Sequence, residues 1–180
     1  MRIIAGRFRG QPLTPLGKGD ATAHLRPTSD RVREALFSMI AARIDLEGAK
    51  VLDLFAGTGA LGLEALSRGA AQVTFVDNGR KAQGLIQANI AKLRASDTTL
   101  IKTDVTRLPP GTPQDLIFLD PPYGKGLGES ALFAAQSQGW IAPDALIVWE
   151  ESHPQSAPGF TQLASRRYGD TTITLLEPSQ

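Results

Sequence analysis

The stretch Asp120-Pro121-Pro122-Tyr123 combines an acid, two rigid rings and a phenol directly after an apolar run, residues 116–119. The prolines fix their own φ angles and have no N–H to donate, so they hold the loop in one shape with its carbonyl groups turned outward. An acid beside a fixed carbonyl forms a pair of acceptors, and the complement of such a pair is an exocyclic –NH2 group. Tyr123 supplies a flat face on which a nucleobase can stack. By itself, the stretch fits a rigid surface turn equally well.

The chemistry that these residues favour is the transfer of a methyl group to an amine. An amine conjugated to a base ring is a poor nucleophile, because its lone pair is delocalised. Two acceptors that hold the amino hydrogens turn the lone pair towards the methyl group, and Asp120 stabilises the positive charge that develops on nitrogen. The target base must be unpaired or flipped out to enter the slot. The predicted catalytic residues are Asp120, Pro121, Pro122 and Tyr123.

A glycine loop in the stretch VLDLFAGTGALG predicts a bound cofactor. Its spacing, Gly57-x-Gly59-x-x-Gly62, is typical of dinucleotide-binding enzymes, so an NAD-dependent oxidoreductase is one interpretation. Asp53 argues against it, because a carboxylate at the strand end repels a pyrophosphate and attracts a cation. S-adenosylmethionine carries an ammonium and a sulfonium group, and we therefore predict that it is the cofactor. The predicted contacts of this loop are Asp53, Phe55, Ala56, Gly57 and Gly59.

Two more acids follow predicted strands and extend the cofactor site. Asp77 ends the next strand, 24 residues after Asp53, where an acid can accept hydrogen bonds from both ribose hydroxyl groups. Asp104 ends the third strand and can reach an adenine amino group, with Val105 against the ring face. Taken singly, Asp77 and Asp104 fit helix caps. Together with Asp53 they place three acids at the carboxyl ends of successive strands, which is the edge where open α/β sheets bind ligands.

The elements that position these acids alternate between strand and helix from Lys50 onwards. Strands are predicted in KVLDLF, QVTFVD, TTLIKTD, DLIFLD and ALIVWEE, and helices in GALGLEALSRG, RKAQGLIQANIAKLRA and GESALFAAQSQG. Such alternation predicts an α/β fold with a mostly parallel sheet and helices on both faces. The final stretch, TQLASRRYGDTTITLLE, predicts a hairpin that turns near Gly169 and Asp170, so one C-terminal strand should run antiparallel.

The N-terminal part of the chain predicts a basic extension, residues 1–27, made of a β-hairpin and a loop. Turns are expected at Gly6 and Gly10, and the stretch RPTSDRVREALFSMIAARI indicates a helix capped by Thr28 or Ser29. Residues 1–33 hold seven Lys or Arg against two acids, a net charge of +5, whereas the remainder carries −4. This distribution fits a surface for a polyanion, and it fits a solvated basic arm equally well.

The composition limits the remaining classes of function. The 180 residues suit one domain, 1–180, and contain no apolar run long enough for a membrane span or a signal peptide. The absence of cysteine excludes disulfides and thiolate catalysis, and it favours a cytoplasmic location. His24 and His153 are far apart in sequence, so no metal site is predicted. Nothing in the sequence demands more than a monomer.

Four stretches together resemble the RsmD family of bacterial class I methyltransferases: MRIIAGRFRGQPL, RPTSDRVREALF, LDLFAGTGALGLEALSRGA and DLIFLDPPY. The resemblance implies a Rossmann-like class I methyltransferase fold with a seven-stranded sheet. It also implies methylation of N2 of a guanine in 16S rRNA, by family resemblance guanine 966, within the small ribosomal subunit or its assembly intermediate. The basic extension should then lie near the RNA, and the predicted RNA contacts are Arg7, Arg9, Arg26 and Thr28.

One departure and several alternatives accompany the resemblance. Relatives often carry Glu at the position of Asp77, and the shorter acid should still bind ribose hydroxyls. The DPPY stretch fits adenine-N6 methylation of another nucleic acid, or amide methylation of a protein glutamine, because each substrate presents an –NH2 group. The absence of a long target-recognition insert weighs against a sequence-specific DNA enzyme. The presence of Asp120, Tyr123 and the glycine loop weighs against a binding module without catalysis.

Overall fold

Seven strands form one sheet in the computed structural model, which describes residues 1–16 and 28–180. The predicted RNA contact Arg26 lies outside the described residues, as does the loop 17–25. The strands are β1 Lys50–Leu54, β2 Gln72–Val76, β3 Thr98–Ile101, β4 Gln114–Leu119, β5 Ile141–Glu151, β6 Phe160–Tyr168 and β7 Thr171–Pro178. The helices are α1 Asp30–Ala41, α2 Ala60–Ser67, α3 Arg80–Leu93 and α4 Leu127–Ser137, with a short 3-10 turn at Val105–Arg107.

The order of the strands across the sheet is β3-β2-β1-β4-β5-β7-β6. Neighbours from β3 to β5 pair in parallel, whereas β7 pairs antiparallel with both β5 and β6. No crossover helix is needed between β6 and β7, because Gly169 turns the chain with a positive φ of 61°. The structure thus confirms a mostly parallel sheet with one antiparallel C-terminal strand.

Both faces of the sheet are covered, which confirms that helices lie on two sides. Along β1, Val51 packs into an apolar cluster with α1, α2 and α3, while Leu52 and Leu54 pack into a second cluster with α4. This alternation follows from the period of two in a strand, and all three side chains are fully buried. Asp53 has the same parity as Val51, so its side chain lies on the face covered by α1, α2 and α3.

Helix α1 begins where the sequence predicts. The Ser29 hydroxyl oxygen accepts a hydrogen bond at 3.3 Å from the backbone N–H three residues later, and Asp30 lies in the first turn, where the helix dipole favours an acid. On the buried side of the helix, the ring centroid of Phe37 lies 5.9 Å from that of Phe118 in β4. This contact holds α1 over β4, two residues before Asp120.

The N-terminal strand pair is smaller than the sequence predicts. One antiparallel bridge joins Arg2 and Pro12, and no strand forms before α1 in the described residues. Backbone hydrogen bonds pair residues 1–3 with residues 10–13, while α2 takes other donors of this segment: the carboxylate of Glu64 and the carbonyl of Ser67 each accept a hydrogen bond from it at 2.9 Å. Residues 1–13 therefore form a looped segment that is fixed along α2.

Two absences hold for the part of the chain that the structure describes. None of its helices is both long enough and apolar enough to cross a membrane. No three His, Asp or Glu side chains come together there in a group that could hold a metal ion.

Candidate active site

The reversal of strand order between β1 and β4 brings two of the predicted acids together. Asp53 in β1 is in register with Phe118 of β4, and Asp120 follows two residues later. The chain leaves these two strands in opposite directions, so a crevice opens at their carboxyl ends. A cavity in this crevice is lined by both acids and by residues of the N-terminal segment, α1 and the glycine loop: Met1, Leu16, Thr28, Arg33, Phe55, Ala56, Gly57 and Thr58.

The glycine loop has the backbone that close approach of a ligand requires. Phe55 and Gly57 adopt left-handed conformations, with φ values of 57° and 61°. A left-handed Phe is unfavourable, and such conformations cluster at functional sites. A side chain at Gly62 would begin 2.5 Å from the Phe75 ring and 3.0 Å from the Asp53 carboxylate. The packing of α2 on the sheet therefore requires this glycine.

Gly59 lies behind the cavity wall. It is the N-cap residue of α2, with a φ of 80°, and it is not among the residues that line the cavity. Its N–H donates a hydrogen bond to the Ala56 carbonyl at 2.8 Å, which closes the turn. Of the predicted loop contacts, the structure places Asp53, Phe55, Ala56 and Gly57 at the cavity and gives Gly59 the role of shaping the loop.

Asp53 is a buried acid whose charge is only partly compensated. Its Oδ2 atom accepts a hydrogen bond from the Gly62 N–H at 3.0 Å, and 1% of the residue is exposed. Burial raises the pKa of Asp53 to about 8, the hydrogen bond from Gly62 opposes this rise, and the charge of Asp77 adds to it. A cationic group in the cavity would restore the charged form of Asp53.

A second cavity shares Phe55 with the first and gathers the remaining predicted cofactor residues. Asp77 follows β2 directly, and its two carboxylate oxygens accept hydrogen bonds from the N–H groups of Gly57 and Gly79 at 3.0 and 2.8 Å. These bonds fix the carboxylate, and each oxygen keeps a lone pair for a further donor. The lining of this cavity is Phe55, Asp77, Asn78, Asp104, Val105, Pro122 and Leu127.

Asp104 lies further from its strand than predicted, because β3 ends at Ile101. Its Oδ1 atom accepts hydrogen bonds from the hydroxyl and the N–H of Thr106, at 2.7 and 2.8 Å, and so caps the 3-10 turn. These two bonds lower the pKa of Asp104. The turn buries Val105 and keeps both Asp104 and Val105 at the second cavity. Asp104 is therefore a cap and a cavity residue at once.

Asp120 follows the last residue of β4, and its carboxyl group has no hydrogen-bond partner among the described residues. Burial raises its pKa well above the ordinary value, and the charges of Glu150, Asp53 and Glu151 raise it further. Behind it, Pro121 is buried and Pro122 lines the second cavity, so the two prolines connect the two halves of the site. The carboxyl group of Asp120 is thus held in place by the backbone and left open to a ligand.

The rest of the loop is tied to the neighbouring strands. The Tyr123 hydroxyl lies 2.9 Å from the hydroxyl oxygen of Thr171 in β7, and Glu151 accepts a hydrogen bond at 3.2 Å from the Gly124 N–H. Burial, with the charges of nearby acids, raises the pKa of Tyr123 to about 12, so its phenol is neutral at physiological pH. These contacts fix the ring of Tyr123 beside Asp120.

Sequence reasoning missed Arg33, which is fully buried in α1 and lines the first cavity. Its Nη2 atom donates hydrogen bonds to the Arg2 carbonyl at 2.7 Å and to Asp30 at 2.6 Å. Its Nε and Nη1 atoms have no partner among the described residues. A signal exists in the sequence, because Arg33 stands three and seven residues before Leu36 and Ile40, within the apolar stripe of the helix.

Sequence reasoning also missed Glu150, and its partner is a predicted RNA contact. The Thr28 hydroxyl lies 3.1 and 3.0 Å from the two carboxylate oxygens of Glu150, and its one proton is donated to one of them at a time. Thr28 therefore lies at the first cavity, where its hydroxyl is engaged by this acid. The stretch ALIVWEE ends in two acids, and only the strand register shows which of them shares a face with Asp120.

The predicted RNA contacts Arg7 and Arg9 lie at the other end of α2. Both are exposed, and the backbone between them is held against Ser67, the last residue of this helix. Because α2 starts at the glycine loop and has eight residues, these arginines stand roughly 12 Å along the helix from the cavity. The structure therefore separates them from Asp120 and leaves them on an outer surface.

The charges of the first cavity match the two ends of a zwitterionic amino acid. Asp53 offers a carboxylate to an ammonium group, and Arg33, whose Nε and Nη1 atoms have no partner among the described residues, offers a positive charge to a carboxylate. The second cavity offers the fixed acid Asp77 to ribose hydroxyls and the apolar Val105 to a base. S-adenosylmethionine combines all of these groups, so the residues present fit the predicted cofactor.

Comparison with known proteins agrees with this geometry. The family model described as conserved hypothetical protein 95 matches residues 1–177. The chain is 40% identical over 161 residues to ribosomal RNA small subunit methyltransferase D of Escherichia coli (strain K12), which is 88% of this chain and 78% of that protein. The solved structure of yhhF from Escherichia coli is 35% identical, has a TM-score of 0.86, and is matched over 99% of this chain and 97% of its own.

A more distant structure extends the comparison of the fold. Magnesium protoporphyrin IX methyltransferase (ChlM) from Synechocystis PCC 6803, solved with bound SAM, is 17% identical with a TM-score of 0.65, over 87% of this chain and 88% of that one. At this identity the likeness concerns the fold alone. The strand order and these neighbours confirm the Rossmann-like class I methyltransferase fold.

Proposed function

Because the chain belongs to the conserved hypothetical protein 95 family, that of the RsmD-type rRNA small subunit methyltransferases, we propose that it methylates N2 of a guanine in 16S rRNA. The proposed methyl donor is S-adenosylmethionine, and the proposed target, by family resemblance, is guanine 966. The substrate would be the small ribosomal subunit or its assembly intermediate in the cytoplasm, and the enzyme would act as a monomer.

The observation that carries this function is the cavity that Asp53 and Asp120 share. One acid suits the cationic end of a methyl donor, and the other suits an amine that receives the methyl group. Neighbouring strands are about 4.8 Å apart, and Asp120 lies two residues beyond the partner of Asp53 in β4. A donor and an acceptor bound to these acids must therefore meet in one crevice.

The residues that would hold the cofactor follow from the two cavities. Asp53 would bind the ammonium group and Arg33 the carboxylate of the methionine part, each with an opposite charge. Asp77 would accept hydrogen bonds from the ribose hydroxyls. Val105 would pack on the adenine ring, and Asp104 would accept a hydrogen bond from the adenine amino group. When bound, S-adenosylmethionine supplies a methyl group on a positively charged sulfur.

The chain's own contribution to methyl transfer centres on Asp120. Its carboxyl oxygens accept hydrogen bonds from the amine. These bonds turn the nitrogen lone pair towards the methyl group and stabilise the positive charge that develops on the nitrogen. The raised pKa of Asp120 also suits it to take the proton that leaves the nitrogen after transfer. Tyr123 stacks the base, and the buried wall of the crevice excludes water from the reacting atoms.

The test of this function is methyl transfer to small-subunit particles that lack the modification. We expect label from S-adenosylmethionine to enter 16S rRNA as N2-methylguanosine, identified by the mass of the released nucleoside. Recovery of N6-methyladenosine in its place would contradict the proposed acceptor. Calorimetry that detects binding of NADH and none of S-adenosylhomocysteine would contradict the proposed donor.

The affinity for S-adenosylhomocysteine should rise as the pH increases from about 6 to about 7.5, a range in which the ligand's amino group stays mostly protonated. Asp53, with a pKa of about 8, is mainly protonated there in the free protein. Because the ligand's ammonium group binds the charged form, binding releases a proton, and affinity rises by up to about tenfold per pH unit. Calorimetry in buffers of different ionisation enthalpy counts this proton. Asp53→Asn should flatten the pH slope, and a slope that persists in that variant would rule out this role.

Replacing Arg7 and Arg9 together by Gln should weaken binding to 16S rRNA. The slope of log K against log salt concentration should fall by about 1.4–1.8, because two phosphate contacts are lost. Filter binding over a range of salt concentrations measures this slope. Arg166→Gln with Arg167→Gln is the matched control, since these exposed arginines lie on the edge strand β6 at the other side of the sheet. An equal loss of RNA affinity in both double variants would show that Arg7 and Arg9 have no specific role in binding RNA.

A further inference from the structure

The end of β5 places a second acid beside Asp120. Leu119 and Trp149 are in register between β4 and β5, so the next residues, Asp120 and Glu150, are neighbours at the carboxyl edge of the sheet. The residues two positions earlier on both strands pack in the cluster beneath α1, so the two acids share that face. Their backbones are about one strand spacing apart, roughly 4.8 Å.

Glu150 is 5% exposed, and its one hydrogen-bond donor among the described residues is the Thr28 hydroxyl. A hydroxyl has one proton, so it satisfies one carboxylate oxygen at a time. A buried acceptor that lacks its full set of donors costs free energy unless a ligand supplies them. Thr28 and Asp120 both line the first cavity, so Glu150 lies directly behind two residues of the wall of the proposed slot for the acceptor base.

Electrostatics link Glu150 to the catalytic loop as well. Burial raises the pKa of Glu150 to about 7. The charge of Glu150 contributes in turn to the raised pKa of Asp120 and of Tyr123. These three groups are therefore close enough for the charge of one to affect the others.

The two acids match one nucleobase edge and oppose another. Guanine presents two adjacent donors, the N2 amino group and the N1–H. Adenine presents its amino group beside N1, which is an acceptor. A carboxylate that accepts a hydrogen bond from the N1–H of guanine would repel the N1 lone pair of adenine. Because binding of adenine would leave this buried carboxylate unpaired, the site would discriminate strongly against adenine.

We propose that Glu150 accepts a hydrogen bond from the N1–H of the target guanine while Asp120 accepts one from its N2 amino group, so that Glu150 selects guanine over adenine. This inference rests on the proposed function, because it requires a guanine N2 as the methyl acceptor. Thr28 is then a positioning residue that orients the Glu150 carboxylate. A site that hydrogen-bonds a substrate N–H in this way rejects the analogue that lacks it by about 10²-fold or more.

The test uses 2-aminopurine, which keeps the 2-amino group of guanine and has an acceptor at N1. Small-subunit particles are reconstituted with 16S rRNA, ligated from fragments, that carries either base at the nucleotide the wild-type protein methylates. Single-turnover transfer of labelled methyl should favour guanine by about 10²-fold or more in the wild type. Glu150→Gln has an amide that donates to N1, so its preference should fall at least about tenfold, and it should methylate 2-aminopurine faster than the wild type.

The control is Glu177→Gln, an exposed acid on β7, which should keep the wild-type preference. Thermal unfolding verifies that Glu150→Gln is folded; if it is not, Thr28→Val removes the hydroxyl that orients Glu150 and should also lower the preference. Wild-type transfer to guanine with an unchanged preference in the folded variant would overturn the role of Glu150 and leave the proposed function standing. No wild-type transfer to guanine would overturn both.

Discussion

Asp120→Ala should lower the rate of methyl transfer by about 10²–10³-fold, which is the size of effect that follows the loss of a group stabilising transition-state charge. Asp120 acts as the amine nitrogen gains positive charge, so its removal affects the transition state more than the bound reactants. The affinity for S-adenosylhomocysteine should stay within about threefold of the wild type, because Asp53, Arg33 and Asp77 carry the proposed cofactor contacts.

The same variant should not lose stability at neutral pH. Burial and neighbouring acids raise the pKa of Asp120 in the folded protein above the value it has in the unfolded chain. The folded state therefore binds more protons, and this group lowers the free energy of unfolding as the pH rises above the ordinary value of 3.8. Asp120→Ala removes that contribution, so its free energy of unfolding should fall less steeply with pH than that of the wild type.

Single-turnover transfer to small-subunit particles and calorimetry with S-adenosylhomocysteine separate the two expected results for Asp120→Ala. Asp144→Ala is the matched control, because Asp144 is an exposed acid near the opposite end of β5 and should behave as the wild type. If Asp120→Ala loses transfer and cofactor affinity by similar factors, Asp120 belongs to the cofactor site and its assignment as the amine acceptor fails.

The acids at strand ends could be predicted because topology alone brings them together. Asp53, Asp77 and Asp120 each lie at the end of an apolar strand, and parallel strands present these ends at one edge of the sheet whatever the side-chain packing. The glycine spacing located the turn between β1 and α2. The roles within the loop could not be separated in the same way, since Gly59 and Gly62 meet neighbours from α3 and β2 that only the fold defines.

Residues outside the strand ends depended on packing that the sequence does not show. Arg33 has the period of an apolar helix face, yet its burial becomes visible only when α1 lies over the sheet. The turn glycines of the N-terminal segment were evident, whereas its attachment to Glu64 and Ser67 was not, because those partners lie about 60 residues away. That attachment decides where Arg7 points and separates it from the catalytic loop.

Arg33→Met should lower the affinity for S-adenosylmethionine by at least about 30-fold, equivalent to about 2 kcal/mol, which is the lower end of the cost of truncating one partner of a buried charge pair. Met keeps most of the apolar contacts of the long side chain and removes the two buried donors that have no partner among the described residues. The change also removes the hydrogen bonds to Arg2 and Asp30, so the thermal midpoint should fall by several degrees.

A comparison of two ligands separates lost recognition from lost stability. Decarboxylated S-adenosylmethionine keeps the ammonium and sulfonium groups and lacks the carboxylate that Arg33 would bind. The wild type should bind the carboxylated form more tightly, and Arg33→Met should bind the two forms with nearly equal affinity, because a general loss of stability affects both equally. Arg33→Lys should recover part of the preference, since a single ammonium replaces the two-donor guanidinium. A preference for the carboxylated form that is unchanged in Arg33→Met would show that Arg33 holds only the N-terminal segment and that another group binds the carboxylate.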